Sequence, residues 1–267
     1  MAGACVQDGA EILIDSPMSS RGDKFLRAMA ADAPAGSEGT RGYVGRHRLL
    51  MMYGPGGPRN IPIVARHLKA GGRVAMWDLG YWDRERSMRL SIDTLHPTPA
   101  QLAMAPDGPG RRAFDLREDA DPAGPILLVG VGPKSCYAYG LGPMEWEKRT
   151  LKELQARWPG RQIVWRPKGR NAYPLKGLQM RHGMSVEDAL RGCSLVVCRH
   201  SNVAVDACVA GVPVECSDGA AAALYFGNPA PTVEQRAEFL RRLSWWEWNR
   251  GESLAAWAWI MKVTECA

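Results

Sequence analysis

The sequence predicts an α/β protein made of two successive parallel-sheet domains, and three observations carry that prediction. Segments of strand length alternate with segments of helix length around residues 47–77 and again over residues 126–216. The connections within both runs are short and bounded by Gly and Pro, as expected for parallel strands joined by right-handed crossovers. The run LVVC at 195–198 is apolar throughout, as a strand buried on both faces by helices should be. Two such runs in succession predict two Rossmann-like domains, and 267 residues suffice for both.

Along the chain, Glu11–Asp15 (EILID) reads as a short strand, Asp23–Ala31 as a short helix, and the Gly-, Ala- and Pro-rich stretch 33–45 as an exposed loop. His47–Tyr53 is a strand, GPGGP at 54–58 a turn, Asn60–Lys69 a helix stopped by Gly71-Gly72, and Arg73–Trp77 the next strand. Residues 79–123 carry many Arg, Asp and Pro with little periodicity, which sets a boundary near 120–125. Beyond it lie strands at 126–131, 162–166, 195–198 and 212–216, and helices at 145–158, 185–191 and 203–210. Residues 232–263 read as helical and carry five of the ten tryptophans, whose helical spacing is that of a core face. The expected division is an N-terminal domain over 1–122, a second domain over 123–231 and a C-terminal helical segment over 232–267.

Composition narrows the function. With 46% hydrophobic and 23% charged residues and no apolar run of membrane-spanning length, a fibrous, disordered or membrane-embedded chain is excluded. Asp8, Glu11 and Asp15 stand where a signal peptide would be basic and then apolar, so a cytoplasmic location is expected. Seven cysteines without a CxxC pair point to buried free thiols rather than to zinc or a disulfide framework. Of 34 basic residues only 8 are Lys, at a net charge of +6, and an arginine excess favours phosphate contact, although GC-rich coding produces it too.

The strongest motif is SLVVCRHSNVAVDACVAGVPVECSDGAA at 194–221 and its continuation. A strand runs into the polar turn Arg199-His200-Ser201-Asn202, and a small-residue helix follows and ends at Gly211. The turn therefore stands at the carboxyl end of a parallel strand and the amino end of a helix, where free N–H groups and the helix dipole attract an anion. The alternative is that Ser201 or Asn202 is an ordinary helix cap. Gly56 and Gly57, in the earlier GPGGP loop, permit close backbone approach to a ligand. The loop GVGPKS at 130–135 superficially suggests a P-loop, but the spacing to Lys134 fails, which argues against an ATPase.

These residues resemble the nucleotide-sugar-binding half of GT-B glycosyltransferases, in which a strand, a polar His-Ser turn, a small-residue helix and G-x-P-V recur, here as His200-Ser201-Asn202, Asp206-Ala207 and Gly211–Val214. Through YGPGG at 53–57, DLGYW at 78–82, WRPKG at 165–169 and LSWWEW at 243–248, residues 47–260 also resemble compact bacteriophage glycosyltransferases that modify hydroxymethylated pyrimidines in DNA. The resemblance implies a GT-B fold whose Trp-rich C-terminal helix crosses back to the first domain. It implies transfer of a sugar from a nucleoside diphosphate sugar, a UDP-sugar by expectation, to a hydroxyl, with the donor as co-substrate and with neither metal nor cofactor. The implied acceptor is 5-hydroxymethylcytosine or a related base in duplex DNA. Two other readings stay open: a saccharide or lipid-linked acceptor, and a non-catalytic nucleic-acid-binding protein on a degenerate sugar-nucleotide fold.

On that reading Arg166 and Lys168, leaving a strand at the edge of the RHSN turn, neutralise the donor phosphates together with His200, Ser201 and Asn202. Met184 and Ser185 belong to the loop that meets the nucleoside, while Glu215 and Asp218 reach sugar or ribose hydroxyls. Asp78, at the end of the RVAMW strand, is the leading proton acceptor, with Asp93 and His96 as alternatives. Arg46, Arg48, Arg84, Arg86 and Arg89 are the expected contacts to DNA phosphates.

Overall fold

The computed structural model describes residues 12–15, 20–40, 43, 45, 47–168 and 173–265. In chain order it contains β1 (Ile12–Asp15), α1 (Ser20–Ala31), β2 (Ser37–Thr40), β3 (Leu49–Tyr53), α2 (Asn60–Lys69), β4 (Arg73–Leu79), β5 (Ser87–Ile92) and α3 (Pro99–Ala103). There follow β6 (Ile126–Val129), α4 (Pro133–Ala138), α5 (Glu145–Arg157), β7 (Ile163–Arg166), β8 (Gln179–Met180), α6 (Val186–Leu190), β9 (Leu195–Cys198), α7 (Val203–Ala210) and β10 (Val214–Cys216). The chain ends with α8 (Ala222–Tyr225), α9 (Val233–Leu243), β11 (Glu247–Asn249) and α10 (Ser253–Glu265). The chain divides into two compact units, residues 1–95 with 246–267, and residues 96–245.

The first unit is a mixed sheet ordered β11-β5-β4-β3-β1-β2. The β3-α2-β4 segment gives the expected parallel pair, with Leu49 opposite Arg73 and Tyr53 opposite Trp77. Its core is a continuous apolar layer of Leu13, Leu50, Met52, Val74 and Met76, against which Ile63, Val64 and Leu68 of α2 pack. The helix α10 belongs to this unit and meets α1, where Trp257 Nε1 donates to the Met29 carbonyl at 2.7 Å. Trp246, Trp248, Trp257 and Trp259 are buried, so they are core residues rather than platforms for bases.

Three elements of this unit differ from expectation. β2 lies within the stretch 33–45 that reads as loop, and it pairs in parallel with β1 despite having no large apolar side chain. β5 lies in the aperiodic stretch 79–123 and runs antiparallel to β4. β11 interrupts the expected C-terminal helix and adds antiparallel to β5. Burial explains why β5 was hard to read, since its polar residues Arg89 and Ser91 are enclosed and break the apolar pattern.

The second unit has a parallel sheet ordered β10-β9-β6-β7-β8. Its core joins Ile126, Leu128, Trp146, Leu154, Ile163, Trp165, Leu195 and Val197. Its bounds differ from the expected domain of 123–231. Residues 117–121, placed at the end of the first domain by their composition, hydrogen-bond through Arg117 N, Asp119 N and Asp121 N to the carbonyls of Val209, Ala210 and Cys193. Arg236, buried on α9, donates to the carbonyls of Arg117 and Cys208 and pairs with Glu118, which ties α9 to the same unit. Among the described residues no helix is long and apolar enough to cross a membrane.

Candidate functional site

In a parallel sheet the crossovers return the chain to the opposite edge, so the loops that leave the carboxyl ends of β6, β7, β9 and β10 gather together. In the second unit these loops carry Gly130–Ser135, Pro167–Lys168, Arg199–Asn202 and Ser217–Gly219. The expected C-cap is in place: Gly211 has φ +76 at the end of α7, a left-handed conformation that glycine adopts without a Cβ penalty. Ser201 Oγ accepts from Val203 N at 3.3 Å and caps α7, whereas Asn202 makes no side-chain cap.

A cluster of polar and charged side chains is built on this edge. His200 Nε2 lies 2.8 Å from Ser135 Oγ in the first turn of α4. His200 Nδ1 faces Asp218 Oδ1 at 3.8 Å, and Tyr139 OH donates to that same oxygen at 3.0 Å. Arg199 Nε lies 3.3 Å from Asp218 Oδ2, with its guanidinium 4.0 Å from the centroid of the Tyr139 ring. The His96 ring stands 6.2 Å from the His200 ring. Burial raises the pKa of Asp218, against the Tyr139 hydrogen bond and the Arg199 charge, which lower it. Burial likewise raises the Tyr139 hydroxyl, and the neighbouring Asp218 adds to the rise.

Two glycines hold the neighbouring loops close. A Cβ on Gly130 would stand 2.6 Å from the buried Trp165 ring, and one on Gly219 would stand 2.9 Å from the His200 main chain. The aliphatic stem of Lys168 passes Gly132, whose Cβ would lie 3.5 Å from Lys168 Cδ. Beneath the 130–133 loop the buried Glu147 accepts from Val131 N at 2.8 Å.

The structure changes the expected tasks of several residues. Arg166 turns its guanidinium to the carbonyls of Arg181, Met184 and Ser185 at 3.1–3.5 Å, so it organises the 181–185 loop. Ser185 caps α6 through Asp188 N. Glu215 pairs with Arg157 of α5 at 2.6 Å. Asp218 stands inside the histidine cluster.

In the first unit Asp78 does lie near the carboxyl end of β4, where Oδ1 accepts from Leu79 N and Oδ2 pairs with Arg89 at 3.0 Å. Asp93 lies at the other end of that strand: because β5 runs antiparallel, Asp93 returns to hold Val74 N and Arg73. Asp78 and Asp93 therefore mark opposite edges of one sheet. His96 opens the second unit. Gly57 N bonds to the Gly54 carbonyl in an ordinary turn, and among the described residues nothing beyond the chain neighbours lies within 4 Å of where a Cβ on Gly56 would be. Arg89 is 8% exposed and its guanidinium is taken up by Asp78 and the Leu95 carbonyl, so burial removes it from the expected phosphate contacts. Arg84 donates to the Tyr81 carbonyl, Arg48 and Arg86 are exposed, and Arg46 lies outside the described residues.

Ser135 and Tyr139 escape the sequence reading. Their spacing of four residues puts them on one face of a helical turn, a signal available once GVGP is read as a strand-to-helix loop.

The fold has counterparts among solved structures. KpsC of Thermosulfurimonas dismutans, described as a beta Kdo 2,7 transferase, superposes with a TM-score of 0.58 at 13% identity over 94% of this chain and 99% of that one. A second KpsC structure from the same organism, a beta Kdo 2,4 transferase, gives 0.52 at 10% identity over 90% and 92%. The likeness is one of fold, shared with proteins described as Kdo transferases. No protein-family model and no curated protein matches the chain.

Five cysteines, 136, 193, 198, 208 and 216, are free thiols, and burial pushes Cys198 up to about 11 and Cys208 to about 12. Cys5 and Cys266 lie outside the described residues. A cavity of about 440 Å³ lined by Trp158, Gln162, Ile163 and Gln179 opens at the amino ends of β7 and β8, the edge opposite the histidine cluster.

Proposed function

We propose that the protein is a nucleotide-sugar-dependent glycosyltransferase of GT-B type that transfers a sugar to a hydroxyl of a saccharide acceptor. The observation that carries this reading is the Ser135–His200 pair at the carboxyl ends of the adjacent strands β6 and β9, with Arg199 and Lys168 beside it. Such an edge suits the phosphate of a donor, because helix α7 begins there and basic side chains gather on it. In the reaction the bond from the anomeric carbon to phosphate oxygen breaks, the acceptor oxygen bonds to that carbon, and the nucleotide departs with added negative charge. Fixed cations and hydrogen-bond donors stabilise that charge most when it develops in the transition state. Asp78, fixed in orientation by Arg89 and Leu79 N, accepts the proton of the acceptor hydroxyl in this reading.

A saccharide acceptor is favoured over hydroxymethylated DNA for two reasons. The structurally similar proteins are described as beta Kdo 2,7 and beta Kdo 2,4 transferases, and the burial of Arg89 removes one of the expected contacts to DNA phosphates. Mass spectrometry after incubation with a panel of nucleotide sugars, offered oligosaccharides and hydroxymethylated duplex DNA side by side, tests both acceptors. A glycosylated saccharide is expected. Modified nucleosides alone would restore the DNA acceptor, and neither product with any donor would overturn the enzyme reading.

A further inference from the structure

We propose that Asp218 and Tyr139 are positioning residues for His200, holding its ring so that Nε2 and the Ser135 hydroxyl are presented together to a phosphate. The inference rests on the donor reading above and deepens it by removing Asp218 from the sugar-binding residues. Three contacts carry it. Asp218 Oδ1 stands 3.8 Å from His200 Nδ1, beyond hydrogen-bond length, so the carboxylate acts on the ring by its charge. The Tyr139 hydroxyl donates to that oxygen at 3.0 Å, and the Arg199 guanidinium is ion-paired with the other oxygen at 3.3 Å, so the carboxylate is held from two sides. His200 Nε2 is thereby aimed at Ser135, 2.8 Å away on α4. A carboxylate this close to an imidazole favours the imidazolium, the form that binds an anion.

The main chain supports the same arrangement. Ser217 N and Asp218 N both donate to the Arg199 carbonyl, so the loop carrying the carboxylate is tied to the turn carrying the histidine. Gly219, at φ +88, follows at once and packs on the His200 backbone, where a side chain would displace it. Among the described residues, the charged and titratable groups around His200 include Asp218 and Arg199 on the flanking loops, Tyr139 on the α4 side, Lys168 on the neighbouring loop and His96, whose own protonation would oppose that of His200.

The test follows the His200 ring protons by NMR between pH 5 and 8.5 in the wild-type chain, Asp218→Asn and Tyr139→Phe, and measures pyrophosphate affinity calorimetrically over the same range. Pyrophosphate is the probe because it carries the anion without assuming a base or sugar. In the wild type, affinity should fall as pH rises through the His200 midpoint. Asp218→Asn should lower that midpoint by about one pH unit, since the imidazolium loses the opposite charge beside it, and should weaken binding about tenfold near neutral pH. Tyr139→Phe keeps the ring under Arg199 and frees an acceptor position on Asp218. Its midpoint should therefore not fall, while pyrophosphate binding weakens two- to fivefold because the carboxylate is less well fixed. Amide spectra matching the wild type would show that both variants are folded. An unchanged midpoint in Asp218→Asn, or unweakened binding in both variants, would overturn the inference and leave the donor reading intact. Failure of the wild type to bind pyrophosphate at any pH would overturn both.

Discussion

The two sheets treat their carboxyl edges in opposite ways. In the first unit β4 returns directly as the antiparallel β5, and the charges beside that return pair internally: Asp78 with Arg89, and Glu247 with the main-chain N–H groups of Tyr81 and Trp82. In the second unit the strands are parallel, every connection crosses over, and the edge is left to loops whose ionisable groups hold one another. An antiparallel return ties up the polar groups of its own strand end, so Asp78 is already fixed by Arg89, whereas parallel strands hand their ends to crossover loops. The predictions below test that contrast.

The largest effect should come from closing the second unit's loops. Gly130→Ala drives a methyl group against the Trp165 ring, which cannot retreat because it is buried and its Nε1 donates to the Tyr173 carbonyl at 3.0 Å. A loss of about 3 kcal/mol is expected from this overpacking. Gly56→Ala in the corresponding loop of the first unit meets nothing beyond its chain neighbours among the described residues and should change stability by less than about 0.5 kcal/mol. Denaturant melts of the two variants check the pair, and equal losses would remove the contrast.

That asymmetry bears on how much could be read from sequence. The second unit was legible because ILLV and LVVC are buried, uninterrupted apolar strands and IVW opens a third. In the first unit SMRLSI hides a strand behind an enclosed Arg and Ser, and EWN is too short to stand out inside a segment with helical aromatic spacing. The site divides similarly. His200 and Ser201 announce themselves through the strand, turn and helix around them. The partners of Arg166 and Glu215 are carbonyls and a cation distant in sequence, which no local pattern encodes.

Next in size is the Asp78–Arg89 pair. Arg89→Ala leaves Asp78 and the Leu95 carbonyl without a buried partner and should cost about 2–4 kcal/mol in thermal or denaturant unfolding. Asp78→Asn retains an acceptor for Leu79 N and should cost about 1 kcal/mol, yet abolish transfer if the proton goes to this carboxylate. A variant at Asp78 with normal turnover would move the base to His96.

In the second unit, Arg166→Ala should act through the 181–185 loop and Lys168→Ala by charge alone. Either loss should weaken nucleotide binding roughly ten- to a hundredfold, the effect of one charge-assisted contact. Hydrogen exchange separates them: the 181–185 amides should exchange faster only in Arg166→Ala, since that side chain bonds three carbonyls there.

The smallest expected effect is the order in which acid loosens the two units. In the first, burial lowers the pKa of His67, more than its main-chain hydrogen bonds to the neighbouring strands restore. A histidine that resists protonation when folded binds its proton more readily when unfolded, so its contribution to stability is lost as pH falls below the ordinary value near 6.5. In the second unit the hydrogen bond from Arg241, together with Arg242, draws Glu238 down to about 2 against a mild cost of burial. A carboxylate depressed on folding keeps its contribution above about 4.5 and loses it only as pH falls from there towards 2. Because Glu238 is exposed, screening by solvent holds its share below about 1 kcal/mol. Exchange protection should therefore decline in β3 and β4, beside His67, between pH 6.5 and 5, while α9 holds until below pH 4.5. His67→Gln should erase the early decline, and a simultaneous loss in both units would show that they unfold as one.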